Sequence, residues 1–315
     1  MQIAMMFPGQ GSQSVGMLAA LAAAEPAVGE TFAEASAALG YDLWQLCQLG
    51  PEERLAATEH TQPAMLAAGI AAWRAWNRRG GAAPSVMAGH SLGEYSALVA
   101  AGAIGFADAV KLVRRRGELM QRAVPAGTGA MAAILGLDDS LVEAACAQSA
   151  QGEVVQPVNF NSPGQLVIAG HAAAVARTIE ACRAKGAKRA VLLPVSVPSH
   201  SALMQPAAEA LRGHLASTAI RAPGIRVHSF DGGLYHDADS IRDGLYRQLF
   251  HPVRWSAIVA AIIGSGATML VESGPGRVLA GLAKRAPGGR ELAIHAIDSP
   301  ETLEAALAAA RSPSP

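Results

Sequence analysis

The sequence contains few cysteines, and their placement suggests neither a metal site nor a disulfide framework. Cys47, Cys146 and Cys182 are scattered over 315 residues, are odd in number and belong to no C-x-x-C or Cys/His cluster. Isolated cysteines usually act as small apolar side chains, so we expect all three to be buried. No metal site is expected.

The sequence also lacks an excess of charge and a long hydrophobic run. Its 25 basic and 25 acidic residues cancel, which disfavours nucleic-acid binding and requires any attraction to an acidic partner to come from a local patch. No apolar run approaches the roughly 18 residues that span a bilayer, and the N-terminus lacks the basic start and cleavage site of a signal peptide. We therefore expect a cytoplasmic protein that binds neither nucleic acid nor membrane.

Hydrophobic residues make up 51% of the chain, enough for a large core. Before residue 127 and after residue 196, strand-like and helix-like segments alternate, which predicts a parallel sheet covered on both faces. Residues 128–195 follow the order β-α-β-β-α-β, that of a ferredoxin-like unit. We predict an α/β fold with a large discontinuous domain (1–127 and 196–315), a small α+β subdomain (128–195) and a disordered tail (311–315).

The pentapeptide Gly89-His90-Ser91-Leu92-Gly93 lies between an apolar strand and a helix-like segment. A sharp strand-to-helix turn holds its serine in a strained backbone conformation, and bulky flanking residues would clash there. The turn aims the Ser91 hydroxyl, the Leu92 N–H and the positive end of the next helix at one point. Ser91 is therefore a predicted nucleophile, and Leu92 a predicted oxyanion donor.

A serine hydroxyl is a poor nucleophile at neutral pH and needs a base. His200 follows the last subdomain strand, at a crossover between domains where clefts form, and it is our candidate. His90 is closer in sequence, but adjacent residues on a tight turn point in different directions, so we expect His90 to make a structural hydrogen bond. No motif supplies an aspartate that would orient the histidine as in a triad.

Acyl chemistry has two further requirements for which the sequence offers candidates. The glycine-rich turn around Gln10 can bring backbone close enough to supply a second oxyanion N–H. Arg114, Arg115 and Arg116 lie on one predicted helix, and a guanidinium can hold a carboxylate through two hydrogen bonds. Successive helix residues are rotated by about 100°, so at most one or two of these arginines point inward, and the pattern alone does not select among them.

Several segments together resemble the malonyl-CoA:acyl-carrier-protein transacylases of bacterial type II fatty-acid synthesis. They occur in the family's order and cover nearly the whole chain: Phe7–Gln13, Thr61–Pro63, Gly89–Ser96, Arg116-Gly117, Gly127–Leu137, Asn159–Gln165, Pro198–His200 and Glu272–Gly276. A lone G-x-S-x-G is shared by many hydrolases, whereas this set is specific. The resemblance implies a hydrolase-like α/β core with a ferredoxin-like insert, in agreement with the pattern above.

The resemblance also implies a reaction, the transfer of a malonyl group from malonyl-CoA to the phosphopantetheine thiol of acyl carrier protein through a malonyl-Ser91 intermediate. His200 is then the base of a Ser-His dyad in a ping-pong mechanism, and Gln10 and Leu92 are the backbone oxyanion donors. The family's carboxylate-binding arginine precedes a glycine, which selects Arg116.

The resemblance further implies that a backbone carbonyl in Pro252–Trp255, that of Arg254, orients His200. Pocket-lining family positions correspond to Gln62, Asn159, Asn161 and Ser199. No cofactor is implied, because the CoA thioester is a substrate, and the protein is expected to be a monomer.

Acyl carrier proteins are acidic, so a local basic rim is expected, with Lys185, Lys188, Arg189, Lys284 and Arg285 as candidates. Two alternatives use the same sequence features differently. A serine esterase or thioesterase would not need Arg116, and a non-enzymatic carrier-docking module would need none of the catalytic set. The same chemistry could also serve a polyketide synthase or a malonate decarboxylase, which the sequence does not distinguish from fatty-acid synthesis.

Overall fold

The computed structural model describes residues 2–125, 127–195 and 197–311. Its strands are β1 (Ile3–Phe7), β2 (Val86–Gly89), β3 (Gly129–Leu135), β4 (Val155–Ser162), β5 (Gln165–His171), β6 (Arg189–Leu192), β7 (Arg226–Val227), β8 (Met269–Ser273) and β9 (Ala293–Ile297). Its helices are α1 (Ala19–Ala24), α2 (Pro26–Leu39), α3 (Leu43–Leu49), α4 (Glu52–Ala56), α5 (Thr58–Arg78), α6 (Gly93–Ala100), α7 (Phe106–Ala123), α8 (Asp139–Ser149), α9 (Ala172–Ala184), α10 (Gln205–Ser217), α11 (Ala238–Gln248), α12 (Trp255–Gly264), α13 (Val278–Ala283) and α14 (Pro300–Arg311).

The larger sheet is parallel, with the strand order β7-β2-β1-β8-β9. Its central strand β1 is buried along its whole length. Met5 and Phe7 point into the core cluster on one face, and Ala4 and Met6 point into the cluster on the other. Alternation of two apolar sets along one strand requires helices on both faces of the sheet, which confirms the predicted α/β fold class.

The smaller sheet is antiparallel, with the order β4-β5-β3-β6. Helices α8 and α9 pack against it and bury a core of their own, so the predicted β-α-β-β-α-β unit is present. This sheet is tied to the chain beyond it, since Phe160 N–H donates to Val253 O at 2.9 Å and Val253 N–H donates to Val158 O at 2.9 Å. Strand β4 is thereby fixed beside the segment that precedes α12.

Two short helices, α3 and α4, precede the long helix α5. The Thr61 hydroxyl, bonded to Leu55 O, ties the first turn of α5 to α4, and this turn carries Gln62. Strand β7 is only two residues long because His228 and Ser229 turn back toward Gly233.

Other expectations concern the tail, the cysteines and membranes. The expected disordered tail 311–315 lies outside the described residues except for Arg311, which ends α14. All three cysteines are buried, as predicted. None of the helices in the described ranges is long and apolar enough to cross a membrane.

Candidate active site

The turn between β2 and α6 has the geometry that its glycines predict. Ser91 has φ 53°, a left-handed conformation that is strained for a residue with a side chain. A Cβ on Gly93 would lie 2.0 Å from Phe7 O, and one on Gly89 would lie 1.9 Å from the Gly93 carbonyl carbon. Only glycine fits at these two positions, so the turn packs directly on the end of β1 with Ser91 at its tip.

His200 lies opposite Ser91 and is buried. Its Nε2 is 2.7 Å from Ser91 Oγ, and its Nδ1 is 2.7 Å from the main-chain oxygen of Gln248. Since a carbonyl oxygen only accepts, Nδ1 carries the proton and Nε2 is free to accept from the Ser91 hydroxyl. His200 itself has φ 64°, so the backbone is strained on both sides of this hydrogen bond.

The carbonyl that orients His200 belongs to Gln248 and not to Arg254, so that expectation was wrong. Gln248 is the last residue of α11, where carbonyls have no donor within the helix. Arg254 precedes α12, and its oxygen already accepts from Ile258 N–H at 3.0 Å. The Arg254 guanidinium instead lies over the Phe160 ring, 4.0 Å from its centroid.

Burial and, to a smaller extent, the positive charge of Arg116 together lower the pKa of His200 from 6.5 to about 3. Both effects disfavour the imidazolium form. The hydrogen bond from Nδ1 to Gln248 O opposes them only in part. His200 is therefore neutral at physiological pH and able to accept a proton.

Arg116 is the arginine of the three that points into the site. It is only 1% exposed, and its Nη1 and Nη2 donate to Gln62 Oε1 and Gln248 Oε1, each at 2.9 Å. Its Nη2 also lies 3.5 Å from Ser91 Oγ. Arg114 and Arg115 are half-exposed and pair with Glu118, as expected for a solvated face.

The two predicted oxyanion donors lie on adjoining segments. Leu92 immediately precedes α6. The turn after β1 approaches the same place, since a Cβ on Gly9 would be 2.4 Å from His90 O. Within the described ranges, the backbone N–H groups of Gln10 and Leu92 have no hydrogen-bond acceptor, so both amides are available to a ligand.

The remaining predicted residues lie around the same site. His90 Nε2 is 2.9 Å from Asn161 Oδ1, so His90 makes the structural hydrogen bond expected of it. Asn159 faces the cavity, and its Oδ1 has no partner among the described residues. Ser199 lines the cavity beside His200, and its hydroxyl bonds to Val197 O at 3.4 Å.

Ser91, His200, Arg116, Asn159 and Ser199 line one cavity between the two sheets. In the described part of the chain, Gln62 and Asn161 lie behind this lining, where they contact Arg116 and His90. The polar end of the cavity holds Ser91, His200 and Arg116, whereas its wall is apolar and includes Met120, Met131, Leu193, Val195 and Val197. Within the described residues, no cluster of three or more His, Cys, Asp or Glu side chains could hold a metal ion. The arrangement fits a nucleophile, a base and a fixed cation around an acyl group that carries a negative charge.

Sequence reasoning missed two buried residues of this site, Gln248 and Glu94. Gln248 arrives from the end of α11, far along the chain, and nothing in the sequence around it marked it. Glu94 follows the serine motif directly, but no function was assigned to it. Its Oε2 accepts from Gln248 Nε2 at 2.5 Å, and its Oε1 accepts from the Tyr235 hydroxyl. Burial raises the pKa of Glu94 to about 7.

Comparisons with known proteins agree over nearly the full chain. The sequence model of the acyl transferase domain family matches residues 5–285. The chain is 59% identical over 307 residues to the malonyl CoA-acyl carrier protein transacylase of Salmonella typhimurium, covering 97% of this chain and 99% of that protein. A solved malonyl-transacylase in complex with its type II PKS acyl-carrier protein is 55% identical with a TM-score of 0.96, over 98% of this chain and 100% of that one. An acyl carrier protein S-malonyltransferase from Vibrio cholerae is 55% identical with a TM-score of 0.94, over 97% and 99%.

Proposed function

This chain belongs to the acyl transferase domain family and is an acyltransferase, as its motifs predicted, and from that premise we propose that it transfers malonyl groups from malonyl-CoA to acyl carrier protein. One observation favours a malonyl group over an uncharged acyl group. The buried guanidinium of Arg116 lies 3.5 Å from the Ser91 hydroxyl, where a malonyl group attached to Ser91 would place its free carboxylate. A buried arginine whose direct partners are the neutral amides of Gln62 and Gln248 favours a carboxylate ligand.

In the proposed first half-reaction, His200 Nε2 takes the proton of Ser91 Oγ while Oγ attacks the thioester carbonyl of malonyl-CoA. The negative charge on the carbonyl oxygen is stabilised by the N–H groups of Leu92 and Gln10. When the carbon–sulfur bond breaks, the CoA thiolate takes the proton from His200. The products are free CoA and a malonyl ester on Ser91.

The second half-reaction repeats these steps with a new thiol. His200 takes the proton of the phosphopantetheine thiol, the sulfur attacks the malonyl ester, and the proton returns to Ser91 Oγ as the ester bond breaks. The Nδ1 bond to Gln248 O holds the ring in one tautomer through both halves. We therefore propose a ping-pong mechanism with a Ser-His dyad, in which a carbonyl replaces the acid of a triad.

The proposed reaction needs no cofactor, and every residue that it uses comes from one chain, so the site is complete in a monomer. Water has to lose the competition for the malonyl ester. The buried position of Arg116 and the apolar wall support this, because they leave a bound acyl group little access to solvent. The division into a catalytic domain and a 128–195 subdomain is part of the proposal, with the cavity between their sheets.

The basic rim is proposed to bind the acidic carrier. Lys188 packs against Gly136. The Gly136 N–H donates to the oxygen of Gly164. Gln165, which follows Gly164 in the chain, accepts a hydrogen bond from the Arg285 guanidinium. These contacts place Lys188 and Arg285 around one end of the smaller sheet. Lys185, Arg189 and Lys284 are likewise exposed, and none of these five residues pairs with a carboxylate in the described part of the chain. Unpaired cations attract an acidic surface.

The hydrolase alternative shares Ser91 and His200 but gives Arg116 no function. The pathway is proposed to be fatty-acid synthesis, as the motifs that resemble the transacylases of that pathway support. Service to a polyketide carrier is the second candidate, supported by the 55% identity to the transacylase solved with a type II PKS carrier. Transfer assays with both kinds of carrier would separate these two.

Intact-protein mass spectrometry after exposure to malonyl-, methylmalonyl- and acetyl-CoA tests the proposal. We expect a malonyl adduct on the wild type that is absent from Ser91→Ala and slow to form on Arg116→Ala, while acetylation of Arg116→Ala is spared or improved. No malonyl adduct on the wild type, or undiminished malonyl turnover by Arg116→Ala, would overturn it.

A further inference from the structure

Glu94 is a buried carboxylate that the proposed mechanism does not use. It lies in the first turn of α6, three residues after Ser91, and is 0% exposed. Its two oxygens have separate partners, because Oε1 accepts from the Tyr235 hydroxyl and Oε2 accepts from Gln248 Nε2 at 2.5 Å. A carboxylate buried this deeply needs such donors, since its desolvation is costly.

Gln248 connects Glu94 to the rest of the site. Its Nε2 donates both to Glu94 and to Ser91 O, the latter at 2.9 Å. Its Oε1 accepts from Arg116 Nη2 at 2.9 Å. A carboxamide has one accepting end and one donating end. Rotation by half a turn would direct its NH₂ group at the Arg116 guanidinium and leave two donors facing each other.

Ser91 O also accepts from the Gln248 nitrogen, at 2.9 Å, and Glu94 adds a charged acceptor at 2.5 Å, where the hydrogen bond is stronger. An ionised carboxylate only accepts hydrogen bonds, so it selects the nitrogen of the amide and thereby directs the oxygen to Arg116. The amide also keeps the two charges apart. A carboxylate in direct contact with Arg116 would occupy the guanidinium that the substrate requires, whereas Glu94 partly balances the Arg116 charge from behind Gln248.

We propose that Glu94 is a positioning residue that fixes the Gln248 carboxamide and so holds Arg116 ready for the substrate carboxylate. This inference rests on the proposed malonyl transfer. It assigns Glu94 an effect on acyl selectivity, because Arg116 contacts a malonyl carboxylate and has no partner of that kind in an acetyl group. A purely structural function would instead affect both acyl groups equally.

The test compares single-turnover rates of Ser91 acylation by malonyl-CoA and acetyl-CoA at pH 8, where Glu94, with a pKa of about 7, is ionised. Glu94→Gln should lower the ratio of malonyl to acetyl rates about tenfold, the effect of one weakened hydrogen bond to a charged group. Tyr235→Phe is the matched control. It removes the other donor to the same carboxylate but leaves the Gln248 contact. Because the Tyr235 hydrogen bond lowers the pKa of Glu94, this variant is compared with the wild type at a higher pH that keeps the carboxylate ionised, and it should keep the wild-type ratio there.

A second comparison tests whether Glu94 acts through Gln248. In a Gln248→Met background the amide is gone, so adding Glu94→Gln should leave the ratio where Gln248→Met alone puts it. If Glu94→Gln does not fold by circular dichroism, Glu94→Asp takes its place, since its shorter side chain withdraws the charge from Gln248 and should also lower the ratio.

The outcomes separate this inference from the function on which it rests. Equal losses for both acyl groups, an unchanged ratio in the Glu94 variants, or an equal fall in Tyr235→Phe would overturn the inference and leave malonyl transfer standing. A wild type that loads no malonyl group would overturn the proposed function and the inference with it.

Discussion

The guanidinium of Arg116 lies 3.5 Å from the hydroxyl of Ser91, so the cation that is proposed to hold the substrate also faces the nucleophile and its base. It is one of the causes, after burial, of the lowered pKa of His200. In the proposed reaction a single buried charge serves two purposes. It would attract a carboxylate into the cavity, and together with burial it keeps the imidazole neutral before the substrate arrives.

The pH dependence of acylation should show this coupling. His200 must be neutral to act, and with a pKa of about 3 instead of 6.5 it stays neutral far below pH 6.5. We expect the single-turnover rate with acetyl-CoA, an uncharged acyl donor, to stay level from pH 8 down to pH 5. In Arg116→Ala the lost charge and the added water both raise the pKa of His200, so the acid limb should move to higher pH. A wild-type midpoint near 6.5, or an unmoved limb in the variant, would contradict the assignment.

The fold class could be predicted because its signals are local. Apolar runs of strand length alternate with helical periods, and glycines mark the turn that holds Ser91. The direct contacts between residues of the site were harder to predict from the sequence. Resemblance placed the orienting carbonyl at Arg254, yet the free carbonyl at the end of α11 belongs to Gln248. Which carbonyl reaches a histidine depends on where a helix ends, and helix ends are poorly marked in sequence.

Glu94 illustrates a different reason for failure. It sits inside the most specific motif of the chain, but its partners Tyr235 and Gln248 come from segments 141 and 154 residues away. A buried carboxylate is unusual, and composition gives no sign of which acidic residue will be buried. Arg116, in contrast, could be identified from the sequence because a glycine follows it in the motif. That glycine, Gly117, is required by packing, since a Cβ on it would lie 2.7 Å from Thr58 O. That close approach fixes the helix against α5.

The position of the Gln10 amide depends on Gly9. Because a Cβ there would lie 2.4 Å from His90 O, Gly9→Ala must push the turn away from Ser91. We expect the acylation rate to fall by about 10²- to 10³-fold, the usual effect of losing one oxyanion donor. Gln10→Ala is the control, since it keeps the backbone N–H, and it should retain most of the activity. Similar losses in both variants would show that the Gln10 side chain, and not its amide, contributes.

Charge reversal at the basic rim should separate the two half-reactions. Lys188→Glu and Arg285→Glu should raise the KM for acyl carrier protein, because they replace attraction with repulsion, while malonyl loading from CoA stays unchanged. Lys111→Glu, an exposed residue on α7, is the matched control. Transfer to the carrier should also weaken as salt rises, whereas CoA loading should not. An equal salt response in both half-reactions would show that the basic rim does not bind the carrier.

Glu272 offers a test of how burial affects stability. Its carboxylate is 0% exposed on β8 and accepts from the N–H groups of Leu279 and Ala280 at 3.1 and 2.8 Å. Burial nevertheless raises its pKa from 4.5 to about 7. Since the folded state then holds the proton more tightly than the unfolded chain, the stability that this proton provides is complete below pH 4.5. It is lost as the pH rises through about 7.

Denaturant unfolding of the wild type and Glu272→Gln at several pH values should reveal this loss. The variant cannot titrate, so from pH 5 to pH 8 the wild type should lose up to about 3 kcal/mol of unfolding free energy relative to it. Subtracting the unfolding free energy of Glu272→Gln from that of the wild type at each pH cancels the contributions of Glu94 and His200, which titrate in both proteins. Glu301→Gln checks the sign, because the hydrogen bond from Ser299 lowers the pKa of this exposed carboxylate below 4.5. The wild type should therefore lose stability relative to Glu301→Gln only as the pH falls below 4.5, and not between pH 5 and pH 8. A wild-type advantage over Glu272→Gln that is constant or grows toward pH 8 would mean that the Leu279 and Ala280 amides keep Glu272 ionised in the fold.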